Sequence, residues 1–165
     1  MHRRFLALAF ACAAGAASAQ APSDPDWKEV EVPPPPALRT GGLVPLEMPG
    51  SVLRFGVDPA SIVVGEDRIV RYVVVAASTT GAVNAMYEGL RCNTGQVKVY
   101  ARHNPDSGWV PVRNADWRAL HETPNTRHSL VVARTGACIG HAPNGNGAEI
   151  ARALRSGADQ RFMNR

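Results

Sequence analysis

The sequence lacks the long hydrophobic runs of membrane proteins and the short motifs that mark common enzyme sites. After residue 20, no apolar stretch approaches the roughly 20 residues that a transmembrane helix needs. No serine lies in a Gly-x-Ser-x-Gly turn, and no Gly-x-x-x-x-Gly-Lys-Ser/Thr loop is present to hold phosphate. These absences argue against a transmembrane segment in the mature chain, a nucleophile-elbow hydrolase and an enzyme that uses ATP or GTP.

Residues 1–19 have the plan of a cleavable secretory signal. Arg3 and Arg4 precede an apolar run over residues 5–17, and small residues follow it. We expect cleavage after Ala19 and a periplasmic destination. A retained membrane anchor is the weaker alternative, because the apolar run is shorter than a spanning helix.

Cysteine is scarce, with three residues in the chain. Cleavage removes Cys12, for which lipidation is an alternative that the bulky Phe10 disfavours, and leaves Cys92 and Cys138. In an exported protein such a pair predicts a disulfide, worth roughly 4 kcal/mol through loop-closure entropy. The competing use is zinc binding, because Cys138 begins a Cys-x-x-His pair with His141. We favour the disulfide and predict no metal site and no cofactor.

Net charge is small once the signal is removed. The whole chain carries 18 Lys and Arg against 14 Asp and Glu, a formal charge of +4, and loss of Arg3 and Arg4 lowers it to +2. A nearly neutral mature chain gives no support for nucleic-acid binding. We expect an envelope component or a protein as partner; the oligomeric state is left open.

Residues 20–49 are rich in proline and include Pro33–Pro36, which favours a stiff, extended arm. We expect the arm to lie over the surface of one domain formed by residues 50–165. A spacer, or a ligand for an aromatic groove, is the alternative. Within the domain, β-branched runs and turn signals predict strands, and a change of period predicts two helices, at residues 126–133 and 148–155. The predicted strands cover residues 52–57, 61–64, 69–76, 82–92, 96–103 and 109–112.

These elements predict the α+β class, with a mainly antiparallel sheet of about five to six strands and two short C-terminal helices. The run of residues 69–76 should be a central strand that is covered on both sides. In the strand of residues 96–103, alternation places Val97, Val99 and Ala101 on one face, and Lys98, Tyr100 and Arg102 on the other.

Glu88 is the most chemically interesting residue, because alternation places it on an apolar face with Met86 and Leu90. A buried carboxylate is either paired with a base, such as Arg71 or Arg127, or has its pKa raised by burial. We favour the paired form. The alternative is a small hydrolase that uses Glu88 with a histidine, His103 or His128, as acid and base.

Aromatic and arginine side chains offer a binding surface instead of a catalytic site. Such residues are the usual anchors of recognition surfaces, although tryptophans here could equally cap the core of the sheet. The candidate binding residues are Tyr87, Glu88, Arg91, Tyr100, Trp109 and Trp117.

Five segments occur in an order that is typical of one protein family. Asp26-Trp27-Lys28-Glu29, Pro33–Pro36, Phe55–Ser61, Val70–Val75 and Tyr87–Cys92 together resemble the cryptic neisserial-protein-like family of small exported proteins of Gram-negative bacteria. The resemblance implies export and a single domain, and it transfers no activity, cofactor or catalytic residue. The sequence thus predicts a non-catalytic binding or interaction module of the cell envelope, with the Glu88 hydrolase as the alternative.

Overall fold

The computed structural model describes residues 26–157 of the chain. The predicted signal peptide and its cleavage site lie outside the described residues. No helix in the described part is long and apolar enough to cross a bilayer.

An antiparallel sheet of eight strands forms the centre of the fold. Its path runs β1-β2-β4-β5-β6-β7, with β3 paired to β4 and β8 paired to β6. All six predicted strands are present, and with the two helices described below they confirm the α+β class. The predicted count of five to six strands is too low for this sheet. The two additional strands, β1 and β8, are too short to show a period in the sequence. The strands are β1 (Val44–Leu46), β2 (Arg54–Val57), β3 (Val63–Val64), β4 (Ile69–Ala77), β5 (Val83–Arg91), β6 (Gln96–Asn104), β7 (Gly108–Pro111) and β8 (Arg118–Ala119).

Both predicted helices follow the sheet. Helix α1 (Arg127–Val132) continues as a π-helical turn over Ala133–Ala137, and α2 spans Gly147–Ser156. A two-stranded ribbon of β9 (Cys138–Ile139) and β10 (Ala142–Pro143) separates the π-helical turn from α2. Helix α2 begins with a capping box, and two 3-10 turns, Pro59–Ser61 and Pro124–Thr126, complete the helical elements.

Strand β4 lies between two separate apolar layers, and its residues 69–76 are all buried, as predicted for a central strand. On one side, which we call the helix face, Val70 and Val74 pack in a core that includes Ile150 and Leu154 of α2. On the other side, the arm face, Val73 and Val75 belong to a smaller cluster. Strand β1 lies within the predicted arm of residues 20–49, so we keep the name arm for residues 27–43, which form neither helix nor strand. The arm supplies Val32, Leu38 and Leu43 to this second cluster.

The predicted alternation of side chains along β6 is wrong at the end of the strand, because the strand contains a β-bulge. Tyr87 pairs with Ala101, whereas the next residue, Glu88, pairs with Val99, so that Tyr100 is an additional residue in the ladder. Ala101 therefore joins the arm face instead of the face of Val99. By the same shift, the residue after Ala101, Arg102, lies opposite Met86 on the helix face.

The predicted disulfide between Cys92 and Cys138 is present, with the two Cα atoms 5.7 Å apart. It joins the residue after β5 to the first residue of β9. Both sulfurs are consumed, so the Cys138-x-x-His141 pair has no thiolate to offer a metal. Within residues 26–157 there is no group of three or more His, Cys, Asp or Glu side chains placed to hold a metal ion.

Candidate functional site

Glu88 is at the centre of a buried polar cluster on the helix face. One carboxylate oxygen is 2.9 Å from Nε2 of His128. The other oxygen accepts hydrogen bonds from the hydroxyls of Tyr72, at 2.8 Å, and Ser129, at 3.0 Å. Glu88 is 1 % exposed and Tyr72 is fully buried. The cluster therefore joins α1 to the two central strands, β4 and β5.

Burial and hydrogen bonding act in opposite directions on the titration of this cluster. Burial alone raises the pKa of Glu88, but the charge and hydrogen bonds of His128, together with the hydroxyls of Tyr72 and Ser129, hold it below its ordinary value. For Tyr72, burial and the neighbouring Glu88 carboxylate both raise the pKa well above that of a free phenol. Glu88 is therefore a carboxylate and Tyr72 a neutral donor at neutral pH.

The hydrogen bonds of this cluster do not form a nucleophilic triad. Ser129 donates to Glu88 and not to His128, so the serine–histidine hydrogen bond of a triad is absent from this cluster. The ring of His128 stacks on Phe55, with centroids 5.2 Å apart. The expected partners of Glu88 were wrong: Arg71 pairs with Asp67, and the base beside Glu88 is His128.

The arm is held on its face of the sheet by a second polar cluster. Glu29 of the arm accepts from the Tyr100 hydroxyl at 2.6 Å and from Nζ of Lys98 at 2.9 Å. The guanidinium of Arg71 is 3.8 Å from the same carboxylate and makes a two-pronged ion pair with Asp67. Burial and the hydrogen bond to Glu29 raise the pKa of Tyr100, which keeps its hydroxyl a donor.

Most of the predicted binding residues contact the arm or one another. The guanidinium of Arg91 lies 3.6 Å from the ring centre of Trp27, and Trp117 packs edge-on against that same ring. Trp109 donates its indole N–H to the carbonyl of Pro36. Tyr87 is buried beside Tyr100 on the arm face. His103, the other histidine considered for catalysis, packs edge-on against Trp109.

Two adjoining clefts open on the other side of the molecule, next to the Glu88 cluster. The arginine cleft has a volume of about 350 Å³ and is lined by Arg102, Arg113, Arg118 and Asp116, with Glu88 and Ser129 at its base. Arg102, Arg113, Arg118 and Asp116 are all exposed. No ion pair found within residues 26–157 involves any of these three arginines. The exposed charges of this cleft are therefore mainly positive, and its second carboxylate, Glu88, is buried and occupied by its own donors.

The methionine cleft, of about 520 Å³, lies alongside. Its walls include Met48, Leu53 and Phe55, and Arg127 of α1 also lines it. Met86, Arg102 and Asn125 line both clefts, so the two adjoin across these side chains. Apart from Glu88 and His128, no local pattern predicted this site, because its walls come from β2, β5, β6, α1 and the loops between them.

Fold and site together define a small α+β protein with a closed polar cluster beneath two adjoining surface clefts. The family model described as the CNP1-like family matches residues 22–155, and the chain belongs to this family, which confirms the resemblance of its segments. No curated protein and no solved structure matches this chain.

Proposed function

We propose that this protein is exported to the periplasm and acts there as a non-catalytic binding module whose ligand or partner is anionic. The disulfide supports an oxidising compartment. The observation that carries the binding role is the arginine cleft, in which three exposed arginines face one exposed carboxylate, Asp116.

Physical chemistry favours an anion in this cleft. Arg102, Arg113 and Arg118 come from three different segments, yet their side chains line one cavity. Grouping like charges costs free energy, which a bound anion would recover. Guanidinium groups also bind carboxylate and phosphate oxygens in a two-pronged geometry that lysine cannot match. The cleft is therefore suited to a ligand that carries one of these groups.

Binding without catalysis is also supported by the state of Glu88. Both of its oxygens are occupied by donors, and its lowered pKa makes it a poor base. The short contact between Glu88 and His128 is the one observation that favours the hydrolase alternative. The hydrolase alternative predicts that the purified protein has esterase or glycosidase activity. This activity should disappear in Glu88→Gln, while citrate binding by the same variant should persist and show that it is folded.

The binding proposal is tested by titrating the oxidised protein with citrate and following the side-chain Nε–Hε NMR signals of its arginines. We expect saturable shifts at Arg102, Arg113 and Arg118, and none at Arg152 or Arg155 on α2. The double variant Arg113→Gln/Arg118→Gln should weaken citrate binding at least about tenfold, as expected when charge-assisted hydrogen bonds are lost.

The double variant Arg152→Gln/Arg155→Gln is the matched control, because it removes the same charge from a surface outside the clefts. Its citrate affinity should equal that of the unaltered protein. Equal losses in the two double variants would show general charge attraction instead of a site. Linear shifts at all arginines would refute the proposal in the same way.

A further inference from the structure

The methionine cleft adds an apolar compartment to the proposed anion site. Met48 and Phe55 are partly buried against the helix-face core, and Leu53 and Met86 complete the same wall. Half of the residues that line the cleft are polar, among them Asn84, His103 and Arg127, so the apolar wall is one part of a mixed lining. Small-molecule sites of about this size likewise combine apolar walls with polar groups that orient the ligand. A purely polar anion such as citrate would make no favourable contact with this apolar wall.

The side chains that line both clefts mark the place where the charged and the apolar compartments meet. Arg102 and Met86, which lie opposite each other in the β5–β6 ladder, are at the junction. A charged group at Arg113 and Arg118 would therefore have its own apolar part directed past Arg102 towards Phe55. Arg127, another lining residue of the methionine cleft, donates a hydrogen bond from Nη2 to the carbonyl of Pro49, at 2.8 Å.

We infer that the two clefts together bind one amphipathic anion, a carboxylate or phosphate attached to a flexible hydrocarbon chain. This inference rests on the proposed function and names the class of its ligand. Methionine side chains are unbranched and adaptable, so Met48 and Met86 suit a chain that has no fixed shape. A free fatty acid and a single-chain phospholipid share this chemistry.

Isothermal titration of the oxidised protein distinguishes the contributions of charge and chain. The probes are acetate, inorganic phosphate, decanoate, decyl phosphate and decanol, all below the concentrations at which they form micelles. Each buried methylene strengthens binding about fourfold. We therefore expect decanoate and decyl phosphate to bind more than about tenfold tighter than acetate and phosphate, and decanol to bind more weakly than either chain-bearing anion.

Two variants test which cleft binds the charged group of the ligand and which binds its hydrocarbon chain. Met48→Gln keeps the volume of the side chain but makes it polar, and it should weaken decanoate binding while leaving acetate binding unchanged. Arg113→Gln should weaken both. Arg152→Gln on α2 is the control and should weaken neither.

The outcomes separate this inference from the proposed function. If acetate and phosphate bind in the arginine cleft but decanoate is no tighter, the amphipathic ligand is refuted and the anion site stands. If no anion binds, both fail. A decanoate affinity that is insensitive to Met48→Gln would also refute the inference. The relative affinities of decanoate and decyl phosphate show which head group, and hence which source of ligand, fits better.

Discussion

Replacing Glu88 with glutamine removes the charge from the buried cluster and keeps its volume. The carboxylate accepts from Tyr72, His128 and Ser129, and a hydrogen bond to a charged group contributes about 1.5–3 kcal/mol. Glutamine retains one acceptor oxygen, hydroxyl groups can rotate to accept from its amide, and the cost of burying a charge is relieved. We therefore expect a net loss of about 2–4 kcal/mol, less than the sum of three bonds.

The assay is thermal unfolding followed by circular dichroism at pH 7, with Glu47→Gln as the control because Glu47 is exposed beside β1. The expected loss lowers Tm by roughly 10 °C in a domain of this size, whereas the control should leave it unchanged. An unchanged Tm in Glu88→Gln would refute the conclusion that the carboxylate stabilises the fold.

The pH dependence gives a second check on the same variant. Because the folded-state pKa of Glu88 is lowered, its stabilisation is complete above the pKa of the unfolded chain, about 4.3. The stabilisation is lost as the pH falls through the folded-state pKa. The difference in Tm between the unaltered protein and Glu88→Gln should therefore be largest at neutral pH and should narrow below about pH 4.

Two further substitutions test the packing around the sheet. Cys92→Ser/Cys138→Ser opens a loop with a sequence separation of 46 and should cost roughly 4 kcal/mol in urea unfolding; an unmoved midpoint would contradict the stabilising role of the bridge. At Gly89, an added Cβ would lie 2.8 Å from Cε2 of Tyr100, so Gly89→Ala should cost about 1–3 kcal/mol. Gly41→Ala is its control, because no heavy atom lies within 4 Å of the added carbon, and equal stability of the two variants would refute the close packing.

Local signals in the sequence were sufficient for the main elements of the fold. The β-branched run in residues 69–76 predicts a strand buried on both sides, because no polar face is left for solvent. The cysteine pair predicts the bridge, because only two cysteines follow the signal. Helix α2 follows from the apolar stripe of Ile150, Ala151 and Leu154.

The site depended on contacts between segments that lie far apart in the chain. His128 is 40 residues from Glu88, and no local pattern distinguishes it from Arg71 or Arg127 as the partner. The bulge at Tyr100 reverses the expected orientation of Arg102, and a strict two-residue period cannot register an additional residue. The pairing of Glu88 with His128 and the bulge at Tyr100 determine which polar side chains line the clefts. The clefts could therefore not be predicted before the fold was known.

The disulfide and the Glu88 cluster fasten the same two segments at separate points. Glu88 lies within β5 and Cys92 just after it, while His128 lies in the first turn of the helical segment that ends immediately before Cys138. Two attachments along one pair of segments prevent not only separation but also rotation of one about the other.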